Sequence, residues 1–434
     1  MSLPSWHHAR NPFRTPSGAL WAVVLVWAAT RAVLLLTAME VVPNPWPFVT
    51  GDARAIYREW FHVLRSGTFP VDDVRWQYPP GAAGVLLLPG LLPFDYATSV
   101  YVLMLVADAA VVWLLARGIP RGVPPYGAAL WVVAVPLLGP MILARYDLAV
   151  TAPTVAALIL ITGRRADRHR FAGLLAGFAT AIKLWPALIF VGLRGRRGPA
   201  RVYAWTLLGA AVVVLGFAAA LPGAFAFLGY QRERGIEVES VFAVPFHLAS
   251  WCGWSGQVRE SYGSLEFHGP YITAVGRLSL LASVLGFGWL LLWRVRARRF
   301  TATTAPDAAL CAMLIFVTTS RVISPQYLVW LIGLAAVCLL RPDTTQRPPA
   351  LLLLCATPLT TLEFPIWFGE LLRGEPHAVL ALTARNTLLV TATVWSARRL
   401  WQASRAIDEP TTAAPTKRPP TPPDPHRPVA KSTV

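Results

Sequence analysis

Charge is scarce in this chain. Only 14% of its 434 residues are Asp, Glu, Lys or Arg, against about 25% in a soluble domain. Lysine is scarcer still: Lys183 is the only one ahead of the C-terminal tail, so the 39 basic residues are nearly all arginine. That preference, with abundant alanine, points to a GC-rich genome. Four cysteines exclude a disulfide scaffold. Cys311, Cys338 and Cys355 lie inside apolar runs, and Cys252 stands alone in a loop. There is no phosphate-binding glycine loop, dinucleotide fingerprint, nucleophile elbow or metal-spaced cluster of His, Cys and acids. The expectation is therefore no cofactor and no metal. A net charge of +17 does not mark a nucleic-acid binder, because the arginines form short clusters between long apolar runs.

What is there is hydrophobic length, 55% of the chain, in the pattern of a polytopic membrane protein. Apolar runs fall at 18–37, 96–116, 125–143, 148–162, 171–193, 202–221, 272–293, 308–319, 326–340, 350–368 and 379–395, with a proline-rich run at 80–93. The first run has no signal-peptide cleavage site. Arginine clusters at 117–121, 164–170, 194–201, 294–299, 341–347 and 398–405 read as inner loops. Loops 39–79 and 222–271 read as outer. Both flanks of 171–193 are basic, so this segment is expected to enter and return, broken near Lys183 and Pro186, while 80–93 dips into the outer face. The result is an all-α polytopic fold of about ten transmembrane helices plus a re-entrant hairpin. Residues 1–17 form a cytoplasmic N-terminus, 18–400 the membrane domain, and 401–434 a disordered Pro-rich cytoplasmic tail. The chain is thus expected in the cell membrane, with both termini inside.

The chemistry-bearing residues gather in the outer loops and at span ends. Asp52 opens a stretch whose Ile56, Trp60, Phe61 and Leu64 share one helical face, an amphipathic surface helix. Asp52 reads equally as its N-cap and as a positioned carboxylate. Tyr78 ends that loop. In Arg145-Tyr146-Asp147 the arginine fits a snorkelling anchor, but a carboxylate anchors poorly. Lys183 follows a run whose small residues at 173, 176, 177 and 179 allow close helix packing. Its ammonium needs an anion, either a phosphate or a buried carboxylate. Arg321 offers a planar fork to phosphate or sugar oxygens, and Gln326 and Tyr327 add donors. Arg234, Glu239 and His247 lie in the aromatic-rich second outer loop; a lone His247 reads first as a packed residue. A transporter or flippase would share the spans and buried charges, but not the reason for two large outer loops.

The order of these motifs resembles glycosyltransferase family 87. It runs from the outer-loop Asp52 before an amphipathic helix to Tyr78-Pro79-Pro80, then the small-residue run to Lys183 and Pro186. Arg234-Gly-Ile-Glu-Val-Glu-Ser240 and Ser324-Pro-Gln-Tyr-Leu-Val-Trp330 follow. That family comprises polyprenol-phosphate-mannose-dependent mannosyltransferases, of an actinobacterial type, in the multi-span C-type superfamily. The resemblance implies transfer of a hexosyl unit from a polyprenyl-phosphate sugar donor to a lipid or cell-envelope glycan acceptor on the outer face. Asp52 would be the catalytic carboxylate. Lys183, Arg321, Gln326, Tyr327, Tyr78, Arg145 and Arg234 would bind the donor phosphate or sugar. Asp147, Glu239 and His247 would be secondary acid/base or acceptor-binding residues. A donor carrying another lipid-linked sugar is the alternative.

Overall fold

Helices form along the expected apolar runs, and prolines, glycines and polar breaks set their lengths. The computed structural model describes residues 18–120, 122–162, 168–195, 197–230 and 234–405. The N-terminal segment, most of the C-terminal tail and part of the 164–170 arginine cluster lie outside these residues. Helix α1 (Gly18–Ala38) leads to a loop and a π-helical turn (Asp52–Ile56) continuous with α2 (Tyr57–Arg65). Helix α2 buries Tyr57, Trp60, Phe61 and Leu64 and exposes Arg58, Glu59 and Arg65, the amphipathic helix expected here. Asp52 does not cap it: Gly51 before it is already helical, and Asp52 is the first residue inside the turn. Its carboxylate is thereby left for other work.

Helices α3 (Ala82–Leu87) and α4 (Tyr96–Gly118) follow, the latter capped by the Asp95 carboxylate on Ala97 and Thr98 N–H. Pro136 and Gly139, at φ 72°, divide the next run into α5 (Tyr126–Ala134) and α6 (Met141–Ala144) before α7 (Asp147–Ile161). Helices α8 (Arg168–Ile182) and α9 (Arg197–Ala220) run side by side in the same direction: Gly173 faces Val202 and Trp205, and Gly177 faces Thr206 and Ala210. The short turn Trp185–Phe190 between them brings the chain back. The approach is close because it must be made by glycine. A Cβ on Gly177 would stand 2.4 Å from Thr206 O.

The second outer loop holds α10 (Phe227–Tyr230), β1 (Ile236–Glu237), α11 (Val244–Ser250), β2 (Gln257–Ser261) and β3 (Ser264–His268). The strands form an antiparallel sheet in the order β1-β3-β2. An all-helical expectation misses this sheet. Its local cause is the two-residue turn Tyr262-Gly263, both with positive φ (50° and 73°), which suits a tight hairpin. The rest is helical: α12 (Ile272–Arg296), α13 (Thr304–Thr319), α14 (Tyr327–Cys338), α15 (Arg347–Thr361), α16 (Phe368–Leu372) and α17 (Pro376–Arg405).

Among the described residues, six helices are long and apolar enough to cross a membrane: α1, α4, α9, α12, α15 with its extension to Ile366, and α17. Three of them, α1, α9 and α12, leave most of their apolar surface exposed, as lipid-facing helices do. At 16 and 12 residues, α13 and α14 are apolar on every face and buried almost throughout, the mark of interior helices. The polar stretch Ser320–Gln326 separates them. The basic segments meet at one end of the bundle. Arg294 donates to Leu193 O at 2.7 Å, and the N–H groups of Arg298 and Arg299 donate to Ser404 O. The turn at 320–326 lies at the other end.

The α8–α9 contact sets a test. Gly177→Ala overpacks the pair and should lower stability by about 1–3 kcal/mol. Gly216→Ala on α9, with nothing within 4 Å of its added methyl, should be neutral or slightly stabilising. Thermal unfolding in detergent reads both, and equal melting temperatures would contradict the close approach.

Candidate functional site

Four charged residues from distant parts of the chain converge at the end of the bundle away from the arginine clusters. Asp52, at the start of its π turn, lies 2.6 Å from Arg145 Nε. Arg145 Nη1 donates to Gln326 Oε1, and its guanidinium faces the Phe364 ring at 5.9 Å. Asp52 keeps 24% of its side-chain surface accessible and Arg145 19%, so both can be reached from outside. Two residues on from Arg145, Asp147 heads α7. Its Oδ1 accepts from Lys183 Nζ at 2.6 Å and from Trp330 Nε1 at 2.8 Å. The Lys183 ammonium also faces the rings of Tyr78, Tyr146 and Trp330 at 5.7, 4.9 and 4.8 Å. Of the two partners open to Lys183 from sequence, the structure supplies the buried carboxylate. It is a charge-balanced pair within an aromatic box.

Local chain geometry brings these groups together. Gly81 N–H donates to Ala181 O at 3.0 Å, so the Tyr78–Gly81 segment docks on the last turn of α8, beside Lys183. A Cβ at Gly81 would come within 2.5 Å of that oxygen, which is why a glycine must follow the prolines. Tyr57, Trp60, Trp76, Tyr78 and Tyr146 then pack ring against ring, with centroids 5.1–6.0 Å apart. Tyr327 stacks on Trp330 at 4.0 Å, and Trp330 on Trp185 at 5.4 Å. Trp330 covers the Lys183–Asp147 pair, while Tyr57, Tyr78 and Phe364 flank Asp52 and Arg145.

The remaining candidates serve the loops. Arg234 Nε approaches Glu266 at 3.3 Å and its Nη2 reaches Ser264. Arg321 Nη1 donates to Arg234 O at 2.8 Å, so its planar fork is already engaged with backbone. His247 is buried with Nε2 2.9 Å from Val238 O. A carbonyl only accepts, so that nitrogen carries the proton and the ring packs the loop, on Phe267 at 4.8 Å. Glu239 is buried too, near Glu363, which pairs with Arg385 at 2.9 Å. Glu237, not singled out in the sequence, accepts from Ile323 N–H at 2.6 Å. It thus anchors the turn that carries Gln326.

Burial is the main force on both loop carboxyls. It pushes Glu237 up to about 7, against the pull of Arg234 and the Ile323 N–H. It pushes Glu239 well above the ordinary carboxyl range, with Glu363 and Glu237 adding repulsion. Sequence reading missed Glu363, Arg385 and the pair Arg31–Asp108. In the latter, Asp108 accepts from Arg31 at 2.9 Å and from the Trp131 indole at 2.8 Å. The signal was present: Arg31, Asp108, Glu363 and Arg385 are each the single charge of their apolar run, and the signs pair off.

Two outcomes follow for variants. Lys183→Met leaves the buried Asp147 without its counter-ion, so stability should fall by about 3–5 kcal/mol, and adding Asp147→Asn should recover most of it. Melting temperatures decide; a stable Lys183→Met protein would show that the ammonium is not structural. The loop carboxyls set a pH dependence. A carboxyl that holds its proton more tightly when folded stabilises fully below its ordinary value of 4.5, and that contribution is lost as pH rises through the folded value. Stability should therefore decline between about pH 5 and about pH 8, with a shallower decline in Glu237→Gln.

The family model of glycosyltransferase family 87 matches residues 76–325, more than half of the chain. No curated protein matches. Among solved structures, ArnT from Cupriavidus metallidurans is similar. Bound to undecaprenyl phosphate it shows a TM-score of 0.47 and 14% identity over 89% of this chain and 78% of that one. Its apo state gives 0.46 with the same identity and coverage. On the family match, this multi-pass membrane protein belongs to glycosyltransferase family 87.

Proposed function

We propose that the chain transfers a hexosyl unit, mannose on the family resemblance, from a polyprenyl-phosphate donor to a lipid or envelope-glycan hydroxyl. Asp52 is the general base of this reading. The observation that carries it is the accessible Asp52–Arg145 pair, the one candidate carboxylate that is reachable, beside a cation, and flanked by aromatic rings. The other candidate carboxylates, Asp147 and Glu239, are buried, and Asp147 is held by Lys183.

Direct displacement needs little more. Asp52 takes the proton of the acceptor hydroxyl as its oxygen attacks the anomeric carbon. The bond from that carbon to the phosphate oxygen breaks, and the polyprenyl phosphate departs with the electron pair. A phosphate leaving group needs no proton, so one carboxylate suffices, and the anomeric centre inverts. The charge that grows on the phosphate calls for a nearby cation. Arg145 fits this task best, because Lys183 is bound to Asp147 and Arg234 to Glu266. A phosphate arriving at Arg145 draws its fork from Asp52, which frees the carboxylate for the hydroxyl. Gln326, hydrogen-bonded to Arg145, orients the guanidinium.

The sidedness of this reading rests on arginine. The clusters gather at the end of the bundle opposite Asp52, and basic loops favour the cytoplasm. The site then faces outward, where nucleotide sugars are absent and a lipid-linked donor is required.

Asp52→Asn removes the proton acceptor while keeping size and polarity. Transfer at saturating donor should fall by about 10²–10⁴-fold, with the melting temperature of the purified variant as folding control. Radiolabelled polyprenyl-phosphate mannose and extracted lipids supply the assay. Full activity in a folded Asp52→Asn protein would remove Asp52 from the chemistry. Activity only with a different lipid-linked sugar would keep the mechanism and change the donor.

A further inference from the structure

The amphipathic helix has a second working face. On the side away from Tyr57 and Trp60, α2 and the start of α4 enclose a groove of ≈ 730 Å³. Arg54, Arg58 and His62 line one wall, spaced four residues apart and so in one row on the helix. Asp95, Tyr96 and Tyr101 line the other.

Charge accounting shows which groups in it are free. Arg54 is matched: it pairs with Glu40 at 2.8 Å and donates to Ala38 O at 2.7 Å and to the Tyr101 hydroxyl at 3.2 Å. Asp95 is matched by Ala97 and Thr98 N–H at 3.1 and 3.2 Å. Arg58 is exposed and has no hydrogen-bond or ion-pair partner among the described residues. His62, also exposed, touches only the edge of the Phe61 ring, at 5.4 Å. One guanidinium and one imidazole therefore stand uncommitted at the mouth of a sizeable groove.

The rim is apolar. Met39, which lines the groove, is 42% exposed, and Leu91 and Phe94, just before the α4 wall, are 80% and 53% exposed. A free cation above exposed aliphatic and aromatic surface matches an amphiphile with an anionic head and hydrocarbon chains. The planar fork of Arg58 suits phosphate oxygens in particular. The helix places this level at the membrane surface, where headgroups lie.

We propose that this groove binds the phosphate of a membrane lipid, held by Arg58 and His62 with the acyl chains along Met39, Leu91 and Phe94. It is separate from the Asp52–Arg145 site, which uses the other side of the same segment. The proposal rests on the membrane-surface position of α2 and not on the transferase reading, since binding is measured without turnover.

The test uses the full chain in detergent and native mass spectrometry or equilibrium binding. The probes are phosphatidylglycerol, diacylglycerol of the same chains, and glycerol 3-phosphate. Phosphatidylglycerol should bind the unaltered protein, and Arg58→Ala/His62→Ala should weaken it about tenfold or more, the loss expected for a charge-assisted phosphate contact. Both residues are exposed, so the variant should melt with the parent. Equal phosphatidylglycerol affinity in parent and variant overturns the proposal, as does diacylglycerol binding equally well. Glycerol 3-phosphate binding as tightly as the lipid would overturn the lipid part and leave a free phosphate-ester site.

Discussion

The pairing of buried opposite charges is the constraint on which this bundle depends. A charge in an apolar interior costs several kcal/mol unless an opposite charge and hydrogen bonds answer it. Here each pair joins two different helical segments. Arg31–Asp108 ties α1 to α4, and the indole of Trp131 and the carbonyl of Val132 draw in α5. Lys183–Asp147 ties the break after α8 to the head of α7, with Trp330 of α14 on the same oxygen. Arg385–Glu363 ties α17 to the end of α15. Breaking one partner would leave the other stranded, so the pairs act as registers that specify which helices adjoin.

Those registers decide where polar residues can gather. Lys183–Asp147 neighbours the Asp52–Arg145 pair in the same chain segment, 145–147, so a buried pair and an accessible pair share one short stretch. Their difference is exposure. Asp147 is sealed by aromatic rings and Asp52 is not. The two large loops complete the site from opposite directions. The first docks through Gly81 on α8. The second holds the turn before Gln326 through Glu237. They meet where Gln77 donates to Tyr262 O at 2.7 Å. Arg145 is thereby placed by a chain of contacts running from both loops.

Several features were legible because they are local. Hydrophobic length gave the helices, the 56–64 periodicity gave the amphipathic face, and the small residues of 173–177 gave the close α8–α9 approach. The strands of the second loop escaped notice, since short polar strands carry little pattern and only the Tyr262-Gly263 turn signals them. The neighbours of His247 and Glu239, Val238 O and Phe267 for the one and Glu363 for the other, are likewise set by packing that no local pattern announces.

What the sequence by itself determined is the class of molecule and the stock of charged groups: an arginine-rich, helical, membrane-spanning chain whose two long loops, 39–79 and 222–271, hold ten of its 22 acidic residues. Composition and period settle this because they reflect each segment's own balance between lipid and water. Only the tertiary structure decided which charge meets which. Lys183 could have answered a phosphate or a carboxylate, and Asp52 could have capped a helix. Both choices turn on distances between separate segments, 36 residues apart for Lys183 and Asp147 and ninety-odd for Arg145 and Asp52. Coulomb energy between such groups depends on separation and burial, and neither is written in residue type or spacing.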